Sequence, residues 1–383
     1  MSGLLIVGSG HAGLTLAREW RKRDPDTALT IITADDGAAY YKPNLSKSLA
    51  GGKSADDLVT ASAEDLAATH QATLRARTRV VALHPQHKQV ELEDGERLDY
   101  RDLVLAHGAR CRELPLAGDA AGDVLHVNDR LDYARFRDAL PAGGHVLLIG
   151  AGLIGSEYAN DLLASGHRVT LVDPLAWPLG TLLPQALGED LQAALAEAGA
   201  GFHLGRSVRA VHREGAGLAA ELDDGTRIAA DVVLSAVGLQ PNVDLARAAG
   251  LDCGRGIRTD TQLQTSAAHI YALGDVAEVC GHVLPYILPI TSSARALAAT
   301  LAGEPTPVNW PAMPVIVKTP LLPTIVCPPP AGAAGAWQVE GDAQGRIARF
   351  VGEDGSQLGF ALTGSAVRER GRLAGETQAP QLG

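Results

Sequence analysis

At 383 residues the chain exceeds the size at which one hydrophobic core keeps growing, so two or three domains are expected. The formal charge of −11 comes from interspersed acids and bases with no basic run, which leaves no footprint for nucleic acid or an anionic membrane as a partner. The hydrophobic content of 46% is that of a soluble globular protein, and no apolar run approaches the ~20 residues of a membrane span.

From the start of the chain, Met1 leads almost at once into Leu4-Leu5-Ile6-Val7, an apolar run that glycine ends after four residues. It is too short for a signal-peptide core and lacks a basic leader, so a cytoplasmic enzyme is expected. The run reads as a strand. It enters Gly8-Ser9-Gly10-His11-Ala12-Gly13, followed by a helical stretch from Leu14 to Arg23 and a second strand, Leu29-Thr30-Ile31-Ile32. The middle of the chain repeats the pattern. Val146-Leu147-Leu148-Ile149 enters Gly150-Ala151-Gly152-Leu153-Ile154-Gly155, a helix runs to about Ser165, and the strand Val169-Thr170-Leu171-Val172 ends on Asp173.

Each copy is a strand, a glycine-rich turn, a helix and a parallel strand. With 43 glycines in the chain, three glycines at this spacing arise by chance roughly 0.5 times, so the flanking strand and helix carry the inference. The first glycine makes the tight turn, the second lets the backbone approach a pyrophosphate, and the third lets helix and strand pack closely. The helix N-terminus then offers free N–H groups and a partial positive charge to the phosphates. Two dinucleotide sites are expected.

Asp173 lies 21 residues after Gly152, at a strand end where a carboxylate accepts hydrogen bonds from an adenine-ribose 2′-OH and repels a 2′-phosphate. Pro174-Leu175-Ala176-Trp177 offers no arginine to a phosphate, so NADH is preferred to NADPH. A solvated residue ending a strand is the alternative for Asp173. The first unit ends on Thr33-Ala34-Asp35-Asp36; either Asp could serve a ribose, and Asp35 is favoured. The four cysteines, Cys111, Cys253, Cys280 and Cys327, form no CxxC, so neither a zinc ribbon nor a thiol redox pair is indicated; buried free thiols are expected, with no metal site.

Two glycine fingerprints in one chain resemble the pyridine-nucleotide-linked flavoprotein reductases. Tyr100 to Ala109 looks like the strand and turn closing the first FAD segment, Val233 to Asn242 like its partner closing the NAD domain, and Ile270-Tyr271-Ala272-Leu273-Gly274-Asp275 like the second FAD fingerprint. The alternative for Asp275 is a helix N-cap. The resemblance implies an α/β fold of two Rossmann-like three-layer domains plus a small α+β C-terminal domain. Residues 1–115 and 245–308 would form a discontinuous FAD domain, 116–244 an NAD domain, and 309–383 the third. Val315-Ile316-Val317 and Trp337-Gln338-Val339 read as short strands there, and Pro328-Pro329-Pro330 as a loop. FAD would lie against Gly8, Ser9, Gly10, His11, Ala12, Gly13, Thr33, Ala34, Asp35, Ala106, Gly108 and Asp275. NADH would lie against Gly150, Gly152, Leu153, Ile154, Gly155, Asp173 and Gly238.

Flavoprotein reductases of this layout divide by their second redox group, a CxxxxC pair or a single cysteine near residue 44. Here the segment reads Tyr40-Tyr41-Lys42-Pro43-Asn44-Leu45-Ser46-Lys47, and no cysteine precedes Cys111. The flavin then has no thiol to reduce and must deliver electrons to a separate acceptor. The Y-x-[KR]-P-x-L-S pattern resembles the ferredoxin, putidaredoxin and rubredoxin reductases. Leu16 to Lys22, Ile32 to Gly37, Asp132 to Arg137 and Met313 to Pro320 are most similar to the bacterial rubredoxin–NAD⁺ reductases, with the flavorubredoxin reductases sharing most of these features.

That resemblance implies NADH and FAD as cofactors and rubredoxin as partner. A [2Fe–2S] ferredoxin, oxygen or a quinone is the alternative acceptor, and a nucleotide-binding redox sensor is the non-enzymatic alternative. It implies an ion pair between Lys42 and Glu157 beside the flavin as the catalytic machinery, Lys318 reaching the flavin from the third domain, and the Val80 backbone at the adenine. Thr291 is expected to cap a helix whose N-terminus faces the flavin's pyrimidine edge. Rubredoxin is acidic, as is this chain, so docking would need a local basic or apolar patch, with Lys42, Lys47, Lys53, Arg295 and Lys318 as candidates. A monomer is expected.

Overall fold

The computed structural model describes residues 3–380. Met1 and Ser2, where the signal-peptide reading begins, and residues 381–383, at the end of the third expected domain, lie outside it.

The two glycine units build two parallel sheets of the same design. In the first, the strand order is Ile270–Ala272, Asp102–Leu105, Leu4–Val7, Leu29–Ile32, Thr73–Arg75. In the second it is Leu125–His126, Val232–Ser235, His145–Ile149, Arg168–Asp173, Gly201–Leu204. Leu4 pairs with Leu29 and with Asp102, and Val146 with Val169 and Val232, so each fingerprint strand is central. Central parallel strands are covered on both faces, which is why Leu4–Val7 and Val146–Ile149 are buried at every position instead of alternating.

The first sheet takes its last strand from residues 270–272, far along the chain. The core around it draws on Leu4 to Ala106 and again on Val243 to Met313. A second core holds Phe136, Leu148, Leu162 and Leu187. The chain crosses between the two bodies as an antiparallel pair, Ala109–Cys111 with Leu239–Pro241. An antiparallel sheet follows, ordered Val315–Val317, Thr324–Cys327, Gln357–Thr363, Gly345–Gly352, Gly335–Asp342. Its Val317, Leu322, Val326, Ala348 and Ala361 share the second body's core, and Arg346 Nε meets Asp190 Oδ2 at 2.6 Å. The third body therefore packs on the second. Pro328 to Pro330 form the expected loop.

Both fingerprint helices start earlier than the apolar pattern suggests, at His11 and Leu153, because Gly10 and Gly152 are themselves the N-caps. The helix expected to open at Thr291 spans Ile287–Leu301. Pro289 falls in its first turn, where a missing N–H costs nothing, so the apolar segment is already helix from Ile287, with Tyr286 as the N-cap. Thr291 is not a cap; its hydroxyl donates back to Ile287 O at 2.9 Å. All four cysteines are free, but only Cys327 is fully buried. No helix of the described residues is long and apolar enough to cross a membrane.

The third fingerprint glycines have the tightest steric requirement. A Cβ at Gly13 would sit 2.0 Å from Gly8 O, and one at Gly155 1.9 Å from Gly150 O. The obstacle is backbone, which cannot rotate aside. Gly13→Ala and Gly155→Ala are each predicted to destabilise the apoprotein by about 1–3 kcal/mol, read as a lower urea midpoint.

Candidate functional site

The two turns have the same internal geometry. Gly8 and Gly150 take φ +115° and +107°. A Cβ there would strike the carbonyl of Ala106 or Ala236, at 2.3 and 2.8 Å. Gly10 and Gly152 differ, for a Cβ on either would meet no atom within 4 Å. Each caps its helix with no side-chain hydrogen bond. The first N–H groups of both helices therefore point, uncapped, out of an open glycine surface, as an anion-binding turn requires.

In the second unit Asp173 is nine-tenths buried. Its Oδ2 accepts from Ala151 N, inside the turn, at 2.7 Å, and its Oδ1 from Leu175 N at 2.8 Å. It is not a solvated strand end. It ties the turn to the neighbouring strand and keeps lone pairs for a ligand. In the first unit Asp35 is exposed, and its Oδ1 accepts from the Thr33 hydroxyl and Gly37 N. Asp36 is engaged by Arg130.

Asp275 follows Gly274, which lies against Ala12 at the start of the first fingerprint helix. Burial pushes the Asp275 carboxyl up, opposed by the charges of Lys42 and His11. No protein hydrogen bond reaches its carboxylate among the described residues, so it is not a helix N-cap. His11 Nε2 lies 3.2 Å from Thr291 Oγ1, joining the first fingerprint to the late helix, and burial lowers its pKa. The loops carrying Ala106, Gly108 and Gly238 are cross-linked: His107 Nε2 lies 2.8 Å from Asn242 O, and Asn242 Nδ2 donates to His107 O at 3.1 Å. Val80 begins a strand of the small meander paired at Leu92.

The expected ion pair between Lys42 and Glu157 does not form. Lys42 Nζ donates to Asn128 Oδ1 at 2.7 Å. Glu157, fully buried, accepts from Ser46 Oγ at 2.5 Å, from Lys318 Nζ at 2.5 Å and from Lys318 N at 3.0 Å. The physical reason is proximity: the 318–321 loop of the third body packs on the helix Leu153–Ala164 and brings both a backbone donor and an ammonium to the carboxylate. One turn on, Asn160 Oδ1 accepts from Leu321 N, and Asp161 accepts from Leu49 N and Ala50 N. Burial raises the Asp161 pKa, partly offset by those two N–H groups. Ser46, Asn128, Asn160 and Asp161 were not singled out from the sequence. The spacing of Glu157, Asn160 and Asp161 within an otherwise apolar helix is a legible signal of a buried polar stripe.

Cys111 lies in the electrostatic field of Lys42, but burial pushes its thiol up and the carboxylates of Asp132 and Asp129 add to that. A raised thiol is mostly protonated and a poor nucleophile. It has no disulfide partner.

Residues 2–301 match the family described as pyridine nucleotide-disulphide oxidoreductase, and residues 307–377 the family described as rubredoxin binding C-terminal domain. The chain is 49% identical over 380 residues to the rubredoxin-NAD(+) reductase of Alcanivorax borkumensis, covering 99% of both chains. It is 40% identical over 366 residues to the nitric oxide reductase FlRd-NAD(+) reductase of Vibrio vulnificus, covering 96% of this chain and 95% of that one. Among solved structures it resembles the putidaredoxin reductase of a covalent complex with putidaredoxin, with a TM-score of 0.88 and 26% identity over 98% of this chain and 93% of that one.

The Glu157 cluster is asymmetric. Lys318 is partly exposed and can turn to water if its partner is lost, whereas Glu157 cannot. Lys318→Met is predicted to cost about 3–5 kcal/mol and Glu157→Gln clearly less, compared by urea unfolding of the two variants. Equal losses would mean that the carboxylate is not the costly partner.

Proposed function

The chain belongs to the pyridine nucleotide-disulphide oxidoreductase family, and on that premise we propose that it is an NADH-dependent FAD flavoprotein that reduces rubredoxin. The observation that carries this reading is a pair of matched glycine turns with no reactive thiol between them. Two dinucleotides are accommodated, and nothing in the protein can store the electrons as a dithiol. The 49% identity to a protein named rubredoxin-NAD(+) reductase and the match of residues 307–377 support the acceptor.

The turn residues fit FAD. The uncapped N-terminus after Gly8, Ser9, Gly10, His11, Ala12 and Gly13 would bind its pyrophosphate, and Asp275, part-buried with no hydrogen-bond donor among the described residues, would accept from its hydroxyls. Thr33, Ala34 and Asp35 would meet the ribose, Val80 the adenine, and Ala106 and Gly108 the far side. NADH would lie on Gly150, Gly152, Leu153, Ile154 and Gly155, with Asp173 at the ribose and Gly238 opposite. FAD when bound accepts a hydride from NADH and releases electrons singly. The chain's own groups bind, orient and set charge. Lys42, met by an amide, would supply positive charge to an anionic partner, whereas Lys318 is tethered and largely balanced by Glu157. The three-domain division at residues 115, 244 and 308 belongs to the same reading.

Of the basic docking candidates, Lys42 and Lys318 are engaged by Asn128 and Glu157, while Lys47, Lys53 and Arg295 are exposed. Tyr41, Ile316 and Leu321 are exposed apolar residues that flank the two engaged lysines in sequence. An apolar contact ringed by a few cations suits an acidic partner better than net charge does.

The test is turnover with NADH and, in turn, rubredoxin, a [2Fe–2S] ferredoxin and oxygen alone. Rubredoxin reduction well above the other two is expected; preference for ferredoxin, or oxygen consumption without a protein acceptor, would overturn the assignment. Gly10→Ala is predicted to leave the urea midpoint of the apoprotein unchanged while weakening FAD binding, measured by fluorescence titration. Lys42→Met is predicted to retain FAD and slow flavin reduction by NADH at least about tenfold in anaerobic stopped-flow; an unchanged rate would remove Lys42 from the site.

A further inference from the structure

Lys42 is met by an amide and not by a carboxylate, and that amide is unusually well fixed. Asn128 Nδ2 donates to Ala109 O at 2.9 Å. A carbonyl can only accept and an ammonium can only donate, so the Asn128 amide has one satisfying orientation, with Oδ1 on Lys42 Nζ. The Asn128 N–H is held by Asp132 Oδ2 at 2.9 Å, and Asp132 closes a capping box with Asp129 at the start of the helix Arg130–Ala139.

That helix start is in turn pinned to the segment around Lys42. Arg130 pairs with Asp36 and with Asp56 Oδ1, the latter at 2.8 Å. Tyr40 Oη accepts from Arg130 N at 3.3 Å, and Tyr133 Oη donates to Lys53 O at 2.9 Å. Residues 128–133 thus grip residues 36–56 at several points, and Asn128 is the member of the grip that faces the ammonium.

We propose that Asn128 is a positioning residue that holds the Lys42 ammonium toward the flavin without neutralising it. The proposal rests on the reading that Lys42 faces FAD. The contrast with Lys318 supports it. Lys318 shares a buried carboxylate, so its charge is largely balanced. An amide dipole orients Lys42 and leaves the full positive charge to act on its other neighbours, among them Asp275. A carboxylate at position 128 would cancel that charge and would also set an anionic oxygen against Ala109 O.

The experiment uses FAD-loaded Asn128→Asp, Asn128→Ala, Lys42→Met and the Asn128→Ala/Lys42→Met double variant. The readouts are the equilibrium of flavin reduction against a reference dye and the anaerobic rate of reduction by NADH. Asn128→Asp is expected to make reduction of the flavin about tenfold less favourable, about 30 mV for a two-electron couple. Asn128→Ala should slow reduction several-fold, and the double variant should match Lys42→Met alone, since Asn128 acts only through Lys42. Additive losses, or a flavin equilibrium unmoved by Asn128→Asp while Lys42→Met moves it, would overturn the positioning role. No effect of Lys42→Met on either readout would instead overturn the placement of Lys42 at the flavin, and with it the proposal. Flavin absorbance reports whether each variant is loaded, and Asn128→Ala, the milder change, decides the question if Asn128→Asp does not hold FAD.

Discussion

A carboxylate removed wholly from water persists only where donors replace the water it loses. Glu157 is such a group, and its donors come from separate parts of the chain: the Ser46 hydroxyl from the first body, the Lys318 ammonium and amide from the third. The helix that carries it belongs to the second. Satisfying one buried charge therefore fixes how the three bodies meet. Asn160 and Asp161 extend the same stripe, binding Leu321 N on one side and Leu49 N and Ala50 N on the other. That helix begins at the second glycine turn, so the element that would bind NADH is also the one that holds residues 46–50 and 318–321 in place.

The duplicated glycine units supply the frame for this junction. In both, the first glycine presses on the next strand's loop, the second leaves open surface at an uncapped helix end, and the third packs on the first glycine's carbonyl. The two units differ where the second strand ends. Asp173 is drawn into its own turn by Ala151 N and Leu175 N, whereas Asp35 stays exposed. A fixed carboxylate beside a pyrophosphate turn fits a nucleotide with a free 2′-OH.

Much of the frame was legible because it is local. Leu4–Val7 and Leu29–Ile32 are the observed strands to the residue, and both turns were recognisable from strand, glycine spacing and helix. The partners of the charged residues were not legible, because they are set by how distant segments pack. Nothing in the spacing of Lys42 and Glu157 indicates that the 318–321 loop arrives first at the carboxylate, or that Asn128 takes the lysine. The late helix was misjudged for a local reason: proline in a first turn looks like a break when read as sequence. The sharing of one core between the second body and the third was also unreadable, since it depends on Val317, Val326 and Ala361 meeting residues far earlier in the chain.

In the proposed function electrons leave the flavin directly, because all four cysteines are free and none offers a disulfide to reduce. Cys111, the thiol in the field of Lys42, has its pKa pushed up by burial and is without a disulfide partner. The most direct measurement is an anaerobic titration of the FAD-loaded protein with NADH, following flavin absorbance and free thiols together. Full flavin reduction by one equivalent of NADH, with the thiol count unchanged, is the expected result. Uptake of a second equivalent, accompanied by new thiols, would contradict it.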